Sequence, residues 1–323
     1  MILRENENKW TYAGIGIVLL VLVLLPWIIS GYWVRLLTAV FMFAVTAKAI
    51  DLMMGYTGYV PFGNVVFFGL GAYTTGILMS RGWAFIPGML IGVLISIFVC
   101  IVFGIPVLRL RGHYFAIATI GLNGAIMAVA LNATGLTGGA MGIIFPPLEM
   151  DPAALNRIFY FIMMGLMILA AVVNIVIVRS RFGFAIRSIK SNEEAARSLG
   201  INTTFYKTTS WIISATITSV AGSVYGWWMS YISTVDVFNV MIAVTSILMV
   251  LLGGAGTILG PIVGAFIFQL LSEVVWSQFL TFHLGILGVL TMLVILFVPR
   301  GLVVAFTELI GGKPKRRRKE TAQ

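Results

Sequence analysis

Long apolar stretches without a single charge alternate along the chain with short polar breaks. Residues 10–34, 52–80, 82–108, 112–148, 158–178, 208–235, 237–272 and 274–299 contain no Asp, Glu, Lys or Arg. About 20 apolar residues in a helix cross the hydrocarbon core of a bilayer. The pattern predicts helices near Tyr12–Ile29, Leu36–Met54, Val65–Met79, Trp83–Phe103, Tyr114–Leu131, Ile158–Val178, Thr208–Trp228, Phe238–Leu252, Pro261–Val275 and Phe282–Val298. The expected fold is an all-α polytopic membrane protein of about ten transmembrane helices. The third, eighth and ninth border glycine-rich stretches that read as broken or re-entrant segments, so a count of eight stays open. All eight tryptophans fall near expected helix ends, as an interfacial aromatic belt requires.

Composition points the same way. Apolar residues make up 60% and charged residues 10%, against about 25% in soluble domains. A water-soluble fold could not bury that much apolar surface. The net charge of +10 therefore suggests a membrane-surface preference and no nucleic-acid partner. A lone cysteine, Cys100, excludes a disulfide framework, and His113 and His283 are too few for a metal site.

The basic residues orient the spans. With both termini inside, 18 Lys and Arg fall on the cytoplasmic side and 3 (Arg35, Arg81, Arg157) outside. This divides the chain into a cytoplasmic N-terminus (1–11), a membrane domain (12–304) with a cytoplasmic loop at 179–207, and a basic cytoplasmic tail (305–323). The loop 132–156 is expected outside. The first span lacks an A-x-A cleavage site and reads as a retained helix. The tail basics Lys313, Lys315, Arg316, Arg317, Arg318 and Lys319 would anchor on anionic lipid, each contributing about 1 kcal/mol near the surface.

Catalytic chemistry has little to work with. No G-x-x-x-x-G-K-[ST] loop occurs, so no ATP site and no cofactor are expected on this chain. Lys48, Asp51 and Glu273 are the ionisable groups within apolar regions, each near an expected helix end. Lys48 and Asp51 lie three apart and can neutralise each other; a coupling-ion site is the alternative.

The glycines cluster. Gly55-Tyr56-Thr57-Gly58-Tyr59-Val60-Pro61-Phe62-Gly63 interrupts one apolar region, and Leu252-Gly253-Gly254-Ala255-Gly256-Thr257-Ile258-Leu259-Gly260-Pro261 another. Paired breaks can mark a transport pathway, where unwound backbone lines a cavity. They can equally permit close helix packing. On the pathway reading, the two breaks face each other within the membrane and Gly55, Tyr56, Thr57, Gly58, Asn64, Gly253 and Gly254 contact the solute.

In the 179–207 loop, Ser191 and Glu194 have capping-box spacing and would start a helix at Asn192, and Gly200 would close it in a left-handed cap. Glu193, Glu194 and Arg197 would face solvent or a partner, and Ala195, Ala196 and Leu199 would form a small apolar face. A helix so short is not stable alone.

The run Arg181-Phe182-Gly183, Arg187 and Asn192-Glu193-Glu194-Ala195-Ala196-Arg197-Ser198-Leu199-Gly200-Ile201-Asn202 resembles the coupling loop of branched-chain amino-acid ABC-transporter permeases of the LivM type. The resemblance extends to Gly55-Tyr56-Thr57-Gly58, Phe67-Phe68-Gly69-Leu70-Gly71-Ala72-Tyr73, Leu110-Arg111-Gly112-His113-Tyr114 and Leu136-Thr137-Gly138-Gly139, and ends at the second glycine break. The chain departs from the family at Pro61-Phe62-Gly63-Asn64, where Ser-[Leu/Phe]-Gly-His is common, and at Lys48, where an apolar residue is usual.

The resemblance implies a permease subunit of an ATP-driven importer in a prokaryotic cytoplasmic (inner) membrane. Its solutes would be branched-chain or other small zwitterionic amino acids, with urea or short amides as the alternative. Expected partners are a second, LivH-like permease subunit, two ABC ATPase subunits carrying ATP and Mg, and an extracytoplasmic solute-binding protein. Ser191, Glu193, Glu194, Ala195, Ala196, Arg197 and Gly200 would couple to the ATPase. An ion-coupled carrier and a membrane-embedded enzyme are the rival classes.

Overall fold

The computed structural model describes residues 16–278 and eight isolated positions between 285 and 305. Apart from those isolated positions, the expected N-terminal flank, the helix Phe282–Val298, His283 and the basic tail lie outside the described residues. A short apolar helix α1 (Gly16–Trp27) leads into α2 (Gly31–Thr57), whose 27 residues extend about 40 Å. Then follow α3 (Val65–Ser80), α4 (Phe85–Val107), α5 (His113–Asn132), the single turn α6 (Thr134–Thr137) and α7 (Pro152–Arg179). The loop after α7 carries α8 (Arg181–Ser191) and α9 (Glu193–Ser198). The chain returns through α10 (Thr203–Met229), α11 (Thr234–Val237), α12 (Val240–Gly253) and α13 (Gly260–Gln278).

Helix starts follow local chemistry where the charge-free runs were a coarse guide. Pro152 opens α7, and the Asp151 carboxylate caps it by accepting the Ala153 and Ala154 N–H groups. The helix therefore begins six residues ahead of the expected Ile158. Asn202 caps α10 in the same way through the Phe205 N–H, moving that start from Thr208 to Thr203.

Among the described residues, six helices are long and apolar enough to cross a membrane: α2, α3 with its preceding turn, α4, α5, α7, and α11 joined to α12. This supports a polytopic all-helical membrane protein and not the expected count of ten. Of the other expected spans, α1 and α13 are apolar and run to the edge of the described residues, and the helix Phe282–Val298 lies largely beyond it. At 27 residues α10 has the length, but its buried face is studded with hydroxyls.

Those hydroxyls make α10 the polar seam of the bundle. Ser214 donates to the Ala49 carbonyl at 2.6 Å, Thr218 accepts from the Asn64 amide at 2.7 Å, Ser219 accepts from Ser96 at 3.0 Å, and Ser223 accepts from Thr75 at 2.9 Å. Each bond satisfies a group that hydrocarbon would leave unpaired. Small residues let the backbones close: a Cβ on Gly71 would overlap the Ser219 carbonyl, and one on Gly222 the Phe68 carbonyl. By contrast, α4 exposes Ile86, Leu90, Leu94, Phe98 and Val102 along one i, i+4 row. An apolar stripe of that kind suits lipid.

The two ends of the bundle differ. At one end, β1 (Ile143–Ile144) pairs antiparallel with β2 (Tyr231–Ile232), a ladder absent from the sequence reading. It drives Phe145 into the space above Gly76 and Gly226. At the other end lie the α2–α3 turn, the α4–α5 turn, α8, α9 and the start of α10. The loops 132–156 and 179–207 thus sit on opposite ends, the relation that the charge distribution requires.

Candidate coupling and translocation site

The site occupies the end of the bundle that carries α8 and α9. Its first part is α9 itself. The sequence pattern made Ser191 the cap, but Ser191 ends α8 and donates to the Arg187 carbonyl at 3.1 Å. Asn192 is the cap: extended in backbone, it accepts the Glu194 and Ala195 N–H groups at 3.0 and 3.1 Å. The competing principle is simple. Ser191 is already helical, and only the residue that leaves the helix of α8 can cap the next one.

The far end follows the expectation. Gly200 adopts φ 83°, its N–H meets the Arg197 carbonyl at 3.0 Å, and the Ile201 N–H meets Ala196 at 3.1 Å. Those two bonds make a Schellman cap. Replacing Gly200 with valine is expected to cost about 1–2 kcal/mol by forcing a β-branched residue into the left-handed region. Faster amide hydrogen exchange confined to 193–201 would report it; unchanged exchange would refute the cap's importance.

The faces of α9 are not those expected. Ala196 is buried, but Ala195 is exposed and Leu199 is 81% exposed. Glu193, expected to face outward, turns into the protein. It accepts from the Tyr59 hydroxyl at 2.6 Å and from Lys207 at 2.8 Å, with Arg197 3.7 Å away. Burial alone would raise its carboxyl, but the hydrogen bonds from Lys207 and Tyr59 and the Lys207 charge more than offset that and hold it below the usual range. Burial and the same hydrogen bond push the Tyr59 phenol upward, so it remains the donor. Glu194 points outward, paired with Arg111 at 2.8 Å on the surface.

The second part is the pair of glycine breaks, which do face each other as expected. They meet beside the last two turns of α2, next to α8 and α9, and not midway along the bundle. Gly58 ends α2 in the left-handed conformation, and α12 stops at Gly253. Gly55 lies directly against Gly256, with no room for a Cβ on Gly55 against that backbone or the Asp51 carboxylate. A Cβ on Gly253 would overlap the Gly260 carbonyl, and Gly254 has φ 116°.

The side chains expected to contact a solute are engaged inside the protein. Asn64 is fully buried; its amide nitrogen donates to Thr218, and its oxygen faces Trp211 and Ser214 at 3.3 Å each. Thr57 donates to the Met53 carbonyl at 2.6 Å. Tyr56 is 2% exposed, with its hydroxyl unpartnered.

Lys48 and Asp51 form the expected ion pair, at 3.6 Å, in the last three turns of α2, and both are fully buried. Together they fasten the second break. Lys48 donates to the Ile258 carbonyl at 3.1 Å and to Thr257 at 3.4 Å, and Asp51 accepts the Gly256 N–H at 2.7 Å. The third ionisable group, Glu273, accepts the Tyr32 hydroxyl. His113 begins α5 on the surface. Among the described residues no three His, Cys, Asp or Glu converge to hold a metal.

Sequence reading missed Lys190 and Lys207, which entered only as topology charges, and Tyr59. Lys190 donates to the Gly55 carbonyl at 2.6 Å, and Lys207 donates to the Leu108 carbonyl and the Tyr59 hydroxyl at 3.0 Å each. The one available signal was Lys207 directly before the expected span Thr208–Trp228, where an unpaired ammonium would be costly.

An all-helical bundle with lipid-facing apolar stripes, interhelical hydroxyl bonds and a short polar loop tied to glycine breaks is a multi-pass membrane protein. The model of the family described as branched-chain amino acid transport system / permease component matches residues 32–298, and the chain belongs to that family. It is 26% identical over 312 residues to the high-affinity branched-chain amino acid transport system permease protein LivM of Salmonella typhimurium, covering 88% of this chain and 73% of the relative. It is 27% identical over 305 residues to the LivM protein of Escherichia coli, covering 86% and 71%. No solved structure matches the chain.

Proposed function

We propose that this chain is one of two related permease subunits of an ATP-binding-cassette importer in a prokaryotic cytoplasmic membrane. It works with a LivH-like subunit, two ATPase subunits and an extracytoplasmic solute-binding protein. The carried solutes are branched-chain or similar small zwitterionic amino acids. ATP and Mg act on the partner subunits, and transport proceeds by alternating access, with the pathway opening where the two glycine breaks meet.

The observation that carries this reading is the two-sided character of α9. Its inner side, Glu193 and Ala196, is bound to the bundle. Its outer side presents Ala195 and Leu199 flanked by Glu194 and Arg197, an apolar knob with a charged rim. So large an exposure of Leu199, the C-cap of a six-residue helix, fits a docking partner. Leu199→Glu is expected to lose the ATPase subunit on co-purification of the complex from detergent, and with it ATP-dependent uptake. Retention of both would refute the docking assignment. Uptake of labelled leucine driven by ATP and indifferent to ion gradients separates this class from a secondary carrier, and competition by urea or short amides tests the alternative solutes.

Orientation is checked by thiol labelling. The single native thiol, Cys100, is 1% exposed and leaves a silent background. In intact cells a membrane-impermeant maleimide is expected to label Ala140→Cys and to miss Ser191→Cys, both positions being exposed. The reverse pattern would invert the topology.

A further inference from the structure

We propose that Lys190 and Glu193 are positioning residues that tie the docking helix α9 to the Gly55–Gly63 break at two points, so that displacement of α9 moves the break directly. This rests on reading α9 as the docking helix. Lys190 lies in the last turn of α8 and Glu193 opens α9. Their tips land four residues apart, Lys190 on the Gly55 carbonyl in the last turn of α2 and Glu193 on the Tyr59 hydroxyl just past it. Between the two lies Gly58, the left-handed cap of α2, with the Lys190 stem across it. A hold on both sides of a cap transmits rotation as well as translation.

The linkage continues past the turn. Gly55 rests against Gly256 of the second break, whose N–H is held by Asp51. Lys207 completes the inner end by joining Glu193 and Tyr59 to the Leu108 carbonyl at the end of α4. Burial matters here. The Glu193 side chain is 11% exposed and that of Lys207 5%, so water replaces either partner less readily than at an exposed pair. The neighbouring Glu194–Arg111 pair is 76% and 52% exposed, and water replaces either partner at little cost. Two consecutive glutamates thus have different tasks, and the inward one does not contact the ATPase.

The test uses the full complex in detergent, in a Cys100→Ser background with Val60→Cys as a reporter within the break. Maleimide reaction of that thiol is measured without nucleotide and after trapping with ATP and vanadate. With Glu193 intact, the rate is expected to differ at least fivefold between the two states. Glu193→Gln and Tyr59→Phe should each keep the ATPase subunits bound and hydrolysing while reducing that difference to less than twofold. The charge exchange Glu193→Lys with Lys207→Glu should restore part of it. Tyr59→Phe removes one hydroxyl and decides the matter should Glu193→Gln fail to fold. An undiminished difference in both variants overturns the proposal, as does loss of the ATPase subunits from Glu193→Gln, which would place Glu193 in the docking contact. Loss of the docking reading itself registers separately, as retention of the ATPase by Leu199→Glu.

Discussion

Alanine or valine at Gly55 is expected to abolish uptake and to lower the thermal stability of the chain, with valine the more severe. The site is a crossing of two backbones: a Cβ at Gly55 would stand 2.8 Å from the Gly256 Cα and overlap the Gly256 nitrogen and the Asp51 carboxylate. Neither backbone can turn aside as a flexible side chain would. Overpacking in such a place typically costs about 1–3 kcal/mol and can exceed that when backbone must move. Gly253 is equally confined by the Gly260 carbonyl. The control is Gly121 on α5, which has open space around its Cβ position. Gly121→Ala should leave the melting temperature unchanged or raise it, because alanine favours a helix by about 0.5–1 kcal/mol. If Gly55→Ala melts and transports like the parent, the breaks have slack and the close crossing is not what holds them.

Removing one member of the Lys48–Asp51 pair is expected to be the most destabilising side-chain change in the membrane domain. Both groups are fully buried, and each also holds backbone of the second break. Lys48→Met leaves a carboxylate without its counter-ion in an apolar bundle, and Asp51→Leu strands an ammonium. Breaking such a pair from one side costs about 3–5 kcal/mol. The double variant should be less damaged than the sum of the singles, because no unpaired charge remains, yet still below wild type. The Gly256 N–H and the Thr257 and Ile258 carbonyls lose their partners in it. Thermal unfolding of the four proteins in one detergent provides the cycle. Additive losses would mean that the two residues act independently, as a coupling-ion site built on Asp51 alone would require.

These two predictions concern residues that the sequence brought forward for different reasons. The glycine breaks were visible as interruptions of apolar runs, and their mutual approach followed from pairing two similar breaks. Their depth was not visible. Charge-free length measures how far a segment can remain in lipid, not where along a neighbour it stops. Only the packing of α12 against α2 puts the break beside Asp51 and Gly55.

The short helix α9 divides in the same manner. Asn192-Glu193-Glu194 through Gly200 encodes a short capped helix, because caps and left-handed glycines are local choices among neighbours in the chain. Which side of that helix is buried is not a local choice. Six residues make fewer than two turns, too short for periodicity to define a face, so Ala195 and Leu199 were grouped with Ala196 although only Ala196 is covered.

By itself the sequence determined the solvent, the helical class, the expected sidedness and the family, since these rest on apolar run length, the placement of Lys and Arg, and motif order, all of which add along the chain. Tertiary structure alone decided what the polar groups inside the apolar runs do. Asn64 finds Thr218 across 154 residues, Tyr59 finds Glu193 across 134, and the Gly256 N–H finds Asp51 across 205. In hydrocarbon an unpaired polar group is costly, and the sequence states that cost at each position without naming the partner, because only folding brings the two together.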